Sequence, residues 1–370
     1  MFKAALKILK EIEKHGYQAY IVGGFVRDYL LGIESNDIDI TTSATPKEIK
    51  EIFADACLPQ NAYGSVTIIY KHINFEITTF RREANYQDNR RPSTVIYVHQ
   101  LEVDLRRRDF TINAICMDRN RNIIDPLNGR EDLKLHLINT INDAQQSFQD
   151  DALRILRAIR FATILDFSLS NEVKEAILQT KYLLKNISYD RKKSELNRIF
   201  GSLNILKGIK MISDLGLEEP LELQNLSKVK PCSQIIGIWA MLNVDDIYPF
   251  SRNEKTQMEE IRKVLLEDPL NPMTLYHYGL YSCIVAGELL GISKKKVNKV
   301  YSKLAIHKRS DLKITTDDIL KTLEIEAGPV LNQIYKELET LVVLNKISNT
   351  KNNLIRACKI IYDKITKGEK

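Results

Sequence analysis

Nowhere is this 370-residue chain apolar for long enough to span a membrane, and its first residues lack the pattern of a signal peptide. Cysteine is sparse. Cys57, Cys116, Cys232, Cys283 and Cys358 stand far apart with no paired spacing. That argues against a zinc site and against a disulfide framework, and a reducing, cytoplasmic setting is expected. Tryptophan occurs once, at Trp239. Glycine and proline never gather into a long linker, and the chain carries no internal repeat or low-complexity tract. What is there is an ordinary soluble composition, 28% charged and 44% hydrophobic, with a net charge of +6 that suits a polyanionic partner. The length predicts two or three domains.

The most informative stretch comes early. Residues 20–22 read as a buried strand ended by Gly23 and Gly24, and residues 25–31 have helical spacing with Gly32 as a stop signal. A glycine turn between strand and helix lets backbone N–H groups meet phosphate oxygens at the positive end of the helix. Arg27, one turn in, is placed for a bidentate grip on a triphosphate. Asp37 and Asp39 then alternate with Ile38 and Ile40, so a strand throws both carboxylates to one face. Two adjacent carboxylates are costly without a cation between them. Hard oxygen ligands beside a triphosphate point to Mg²⁺, as two ions in an in-line displacement. Each feature alone is commonplace, since Gly-Gly marks many turns and Asp-x-Asp ends many solvated strands.

The rest of the first 140 residues mixes helices and strands. Residues 2–15 form an amphipathic helix ended by Gly16, and Thr45-Pro46-Lys47-Glu48 is a capping box opening a helix to about residue 54. Alternating strands are expected at 64–70 and 74–80 around a turn near Lys71, His72 and Ile73. If the second lies beside the two-aspartate strand, Glu76 is a third catalytic carboxylate; otherwise it is an exposed strand glutamate. Residues 82–95 are polar, charged and without periodicity, which predicts a functional loop. In Arg106-Arg107-Arg108-Asp109-Phe110-Thr111-Ile112-Asn113-Ala114, Arg108 can meet phosphates, while Asp109 and Asn113, four apart on a helix, can hydrogen-bond a ribose hydroxyl.

From residue 150 the pattern is helical. Asp151 and Arg154 are three apart, with Arg157 and Arg160 following at helical spacing as further nucleotide-binding candidates. The plain reading is an acidic first turn with surface arginines. The sharper one is base selection: an acceptor-only carboxylate beside a donor-only guanidinium matches the Watson–Crick edges of cytosine and adenine and mismatches guanine and uracil. Residues 188–196 start another helix whose expected role is interhelix salt bridging. Residues 293–313 are the most basic segment; Lys294, Lys295, Lys296, Lys299 and Lys303 form either a solvated face or a phosphate-tracking surface.

Taken together, these motifs resemble the class II tRNA nucleotidyltransferases, the CCA-adding enzymes, within the polymerase-β-like nucleotidyltransferase superfamily. The resemblance covers nearly the whole chain. Gly23 through Asp39 matches the family's metal motif, 107–114 its ribose motif, Asp151 and Arg154 its amino-acid template for the incoming base, and 188–196 the motif bracing that template. Lys192 departs from the family pattern, standing where isoleucine is usual. The implied fold is α+β: a polymerase-β-like nucleotidyltransferase head with a mixed sheet at 1–144, then an all-helical neck at 145–205, body at 206–290 and tRNA-binding tail at 291–370.

The implied activity is template-independent addition of CCA to the tRNA 3′ end from CTP and ATP with two Mg²⁺ ions. The tRNA acceptor stem and elbow are the expected partner surfaces, with no membrane and no obligate protein partner. Residues 82–95 look like the family's flexible loop at full length, which disfavours a CC-only enzyme. An A-adding-only enzyme working with a separate CC-adding partner shares these motifs. A bacterial poly(A) polymerase fits less well, because residues 61–67 look like the CCA-type strand. A non-catalytic RNA-binding protein would have no reason to keep Asp37 and Asp39.

Overall fold

The computed structural model describes residues 1–54, 64–87 and 91–367. Cys57 and residues 61–63 lie outside them. The chain divides into two compact units, Met1–Ser227 and Lys228–Lys370. Among the described residues no helix is long and apolar enough to cross a membrane.

The first unit opens with α1 (Phe2–Lys14), which buries Ala5, Ile8, Leu9 and Ile12 along one stripe. Strand β1 (Ala19–Val22) leads into α2 (Gly24–Leu31), and β2 (Asp39–Thr42) into α3 (Pro46–Ile52), whose Thr45/Glu48 capping box forms as the sequence predicts. Strands β3 (Ser65–Tyr70) and β4 (Ile73–Thr79) turn at Lys71 and His72, both with positive φ, as a two-residue hairpin turn requires.

Strands β5 (Arg81–Gln87) and β6 (Arg91–Tyr97) pair antiparallel, apart from the main sheet. The expected loop at 82–95 is therefore a hairpin; its tip, 88–90, lies outside the described residues. A ribbon paired only with itself lies on no sheet face and has no need of the alternation that marks a packed strand. Helix α4 (Leu101–Arg106), a 3₁₀ turn at Thr111–Asn113, strands β7 (Cys116–Met117) and β8 (Ile123–Ile124), and α5 (Gly129–Lys134) complete the mixed region.

The six-stranded mixed sheet runs β3-β4-β2-β1-β7-β8, with only β2 and β4 parallel. Its register decides where the chemistry sits. Val22 at the end of β1 faces Asp39 at the start of β2, and Asp39 in turn faces Glu76 on β4. Val22 also faces Cys116, just past the Thr111–Asn113 turn. One end of the sheet thus gathers the glycine turn, the aspartates and the Asn113 turn. Below it, Val22 packs with Leu105, Ala114 and Cys116, all essentially closed to water. Each such apolar side chain of valine or leucine size contributes about 1.5–3 kcal/mol.

Helices follow: α6 (Ala144–Asp150), α7 (Leu153–Ile164), α8 (Asn171–Thr180) and α9 (Tyr189–Phe200), with α7 packed on α9. The second unit is helical throughout its described elements, from Ile235–Leu242 to Lys351–Lys367. It contains Trp239, buried against Tyr248 and Phe250, and the basic helix Lys294–Tyr301.

Candidate active site

A cleft of about 570 Å³ in the first unit is lined by Gly23, Gly24, Arg27, Asp37, Asp39, Arg108, Asp109, Asn113, Asp151, Arg154, Arg157 and Arg160, all expected from the sequence. Gly23 adopts φ 79° and ψ −138°, a conformation open to glycine, and it converts β1 into α2. A Cβ there would lie 3.6 Å from Arg108 Nη1 and 3.8 Å from Asp39 Oδ2. The glycine turn, a guanidinium and a carboxylate therefore converge on one spot.

Ile38 and Ile40 are buried while Asp37 and Asp39 face outward, as alternation demands, although regular strand begins only at Asp39. Asp39 reaches solvent, but protein atoms crowd its side of the cleft. That desolvation pushes its carboxyl up to about 6; Asp37 and Glu76 add to the rise and Arg108 opposes it. Glu76 faces Asp39 across the parallel pair and is exposed, outside the residues lining the cleft.

Behind the carboxylates runs a chain of committed polar groups. Arg27 is buried; its Nε and Nη2 donate to Asp28 Oδ1 at 2.8 and 2.7 Å, and its Nη1 to Asn113 Oδ1 at 2.7 Å. It thereby holds Asn113 in place while still lining the cleft. Asn113 Nδ2 donates to Asp109 Oδ1 at 3.1 Å, and Arg157 Nε donates to Asp109 Oδ2 at 2.7 Å. Asp109 and Asn113 meet around a 3₁₀ turn, not along the α-helix expected for them. Burial alone would raise the Asp109 carboxyl, but Arg157 and Asn113 outweigh it and hold it at about 2.

Arg157 and Arg160 approach Glu195 of α9, Arg160 Nε at 2.6 Å but without hydrogen-bond alignment. Desolvation pulls Arg160 down to about 10, against the attraction of Glu195 and with Arg157 and Arg198 adding to the fall. Phe161 lies under three guanidiniums, with Arg160 4.1 Å from its ring centre, Arg27 5.1 Å and Arg157 5.5 Å.

Asp151 and Arg154 do not share a helical face. Asp151 sits at the break between α6 and α7, with φ −142° and ψ 100°, and its Oδ1 accepts from Leu153 N–H at 3.1 Å. Arg191 of α9 donates to both of its oxygens. Arg154, the second residue of α7, is buried and donates to Ser147 Oγ at 2.8 Å and to the Arg107 carbonyl at 2.9 Å. Both still line the cleft. Lys192, the family departure, is 1% exposed with its ammonium 4.6 Å from the centre of the Tyr189 ring.

Sequence reasoning gave no role to Phe25, Asp28, Ser35, Arg81, Glu83, Phe161 and Arg198 in the lining, placed Arg107 there only as part of the 107–114 motif, and missed Asp104 behind it. Asp104 had a signal: it is an acid placed with Leu101 and Leu105 on the apolar side of a helix. The five lysines expected to meet RNA, Lys294, Lys295, Lys296, Lys299 and Lys303, belong to the second unit and are exposed.

Comparison with known proteins gives the family to which the chain is similar. Residues 19–139 match the family model described as poly A polymerase head domain. Residues 166–225 match the probable RNA and SrmB-binding site of polymerase A, and 247–358 the putative tRNA nucleotidyltransferase domain 2. The chain is 34% identical to the CCA-adding enzyme of Staphylococcus haemolyticus, over 96% of this chain and 97% of that one. It is 37% identical to that of Lactobacillus johnsonii, over 94% and 95%. The solved Bacillus stearothermophilus CCA-adding enzyme in complex with CTP superposes with a TM-score of 0.87 at 29% identity, covering 99% of both chains.

Proposed function

The chain belongs to the CCA-adding enzymes, the tRNA nucleotidyltransferases, and on that premise we propose that it rebuilds tRNA 3′ ends with C, C and A, drawing on CTP and ATP and releasing pyrophosphate. The observation carrying this reading is the convergence of Gly23, Asp39 and Arg108 in one cleft with Asp151 and Arg154.

The donor set fits a divalent metal. Asp39 is crowded and repelled by Asp37 and Glu76, a strain that a cation relieves. Among the described residues no cluster of three metal-ligating side chains stands ready. That suits Mg²⁺, which binds through one or two carboxylates and completes its shell with phosphate oxygens and water. Asp37 and Asp39 would hold it, with Glu76 alongside. When bound, two such ions lower the pKa of the attacking 3′-hydroxyl and neutralise charge building on the leaving pyrophosphate.

The chain's own residues do the rest. Backbone N–H groups at Gly23 and Gly24 receive phosphate oxygens at the start of α2, and Arg108 adds a neutralising donor. The Arg27–Asn113–Asp109–Arg157 relay gives the ribose a rigid polar wall. Asp151 accepts from the exocyclic amino group of the base. Arg154 retains N–H groups beyond the two given to Ser147 and Arg107, and it donates to the neighbouring ring nitrogen. Guanine and uracil present a carbonyl beside a ring N–H, leave these groups unpaired, and are rejected.

The test uses tRNAs ending at the discriminator base, at C and at CC, with each labelled nucleotide supplied singly and together. Completion to CCA on all three is expected. Extension from the CC end alone would make the enzyme A-adding, and long A tails on unrelated RNA would make it a poly(A) polymerase. No extension of any substrate would refute an enzymatic role.

A further inference from the structure

Asp104, near the end of α4, is fully buried. A buried carboxylate persists only where donors surround it, and this one has four. Its Oδ1 accepts from Arg107 Nε at 2.8 Å and Arg81 N–H at 3.2 Å; its Oδ2 accepts from Thr41 Oγ at 3.2 Å and Arg108 Nη2 at 3.5 Å. These donors come from different places. Thr41 lies two residues beyond Asp39 on β2, and Arg81 opens β5. Arg107 also reaches Glu83 of β5 at 3.3 Å. Arginine charges outweigh burial and hold the Asp104 carboxyl below the usual range, so it stays ionised.

Arg108 is held differently from its neighbour. Its link to Asp104 is long, and its buried Nε has no hydrogen-bond partner among the described residues. Its guanidinium lies by Gly23 and attracts the Asp39 carboxylate. Left to itself, an arginine so placed would close onto Asp39, covering a carboxylate and losing its own donors. Asp104 sets a second, buried negative charge against the same guanidinium.

We propose that Asp104 is a positioning residue that holds Arg108 back from Asp39 and presents it to the nucleotide phosphates, while tying it to β2 and the β5–β6 hairpin. This deepens the nucleotidyl-transfer reading and rests on it.

Equilibrium binding of CTP in the presence of a chelator, without tRNA, tests the tether apart from turnover. Asp104→Asn should weaken CTP binding by about tenfold or more, the loss expected for a misplaced charge-assisted donor. The decisive readout is a double-mutant cycle with Arg108→Ala. If Asp104 acts through Arg108, the double variant binds CTP no more weakly than Arg108→Ala alone. Full additivity, or an Asp104→Asn variant within twofold of wild type, overturns the proposal. Should Asp104→Asn fail to fold, Thr41→Val takes its place in the cycle and the same two outcomes decide. Wild-type protein that binds no CTP either in chelator or with Mg²⁺ added overturns the nucleotidyl-transfer reading, and the proposal with it.

Discussion

Arg191 reaches across from α9 to Asp151, its Nη2 lying 3.3 and 3.1 Å from the two carboxylate oxygens. A carboxylate held from behind keeps its remaining lone pairs in one orientation, which is what reading a base edge requires. Asp151→Ala should therefore loosen nucleotide choice more than it lowers stability. Arg191→Ala should loosen it less, since the acceptor survives but its aim does not. Competition assays with all four nucleotides on a CC-ended tRNA measure this. Unchanged selectivity in Asp151→Ala would refute base reading by this residue.

Asp39 gives the simplest loss of function. Asp39→Ala should abolish nucleotide incorporation at every Mg²⁺ concentration while leaving tRNA affinity within a fewfold of wild type. Gel shift and primer extension on one preparation separate the two. An active variant would mean that the cation is held elsewhere.

Asp109 carries a pH signature. Its carboxyl titrates at about 2 in the fold, well below the range of an unfolded chain, because Arg157 and Asn113 overcome burial. A depressed carboxylate stabilises the fold fully above the unfolded value, and this contribution disappears as pH falls through the folded one. At neutral pH it is on the order of 2 kcal/mol. Asp109→Asn should melt well below wild type at pH 7, and the gap should narrow between pH 4 and 2. A gap that stays constant with pH would mean that the charge of Asp109 plays no part.

Much of this was legible beforehand because local chemistry and burial agree. Thr45 and Glu48 form their capping box, and Ile38 and Ile40 go inward where alternation put them. Glu76 lands opposite Asp39 on the neighbouring parallel strand, the condition that the sequence left open. Strand β5 was not legible, since a ribbon outside the main sheet needs no apolar stripe. Nor was the break at Asp151: its neighbours keep helical spacing on both sides, and nothing local announces a non-helical residue between α6 and α7. The partners of Arg27 and Arg154 come from up to 86 residues away, a distance no local pattern spans.

Gly23 is constrained by its backbone more than by space. An added Cβ meets Arg108 and Asp39 at ordinary contact distance, yet φ 79° disfavours any L side chain. Gly23→Ala should cost about 1–3 kcal/mol of stability. It should also weaken CTP binding, as the turn shifts away from the phosphates. Thermal melts with and without CTP check both. A variant that melts and binds like wild type would show that the turn relaxes freely.

The basic helix Lys294–Tyr301 separates binding from folding most cleanly. Lys294, Lys295 and Lys296 crowd its first turn, where the helix dipole disfavours cations, and all three are exposed. Fold stability alone gives no reason for that placement, and an RNA phosphate backbone is the partner proposed for it. Replacing all three by alanine relieves the dipole conflict and raises helix propensity, so the melting temperature should hold or rise. Affinity for tRNA should fall, and the slope of log affinity against log salt should shrink by roughly 0.7–0.9 for each phosphate that is no longer neutralised. Thermal melts beside a salt titration of tRNA binding give both numbers from one variant. An unchanged salt slope would leave these lysines as a solvated face and move the RNA-binding role to another surface.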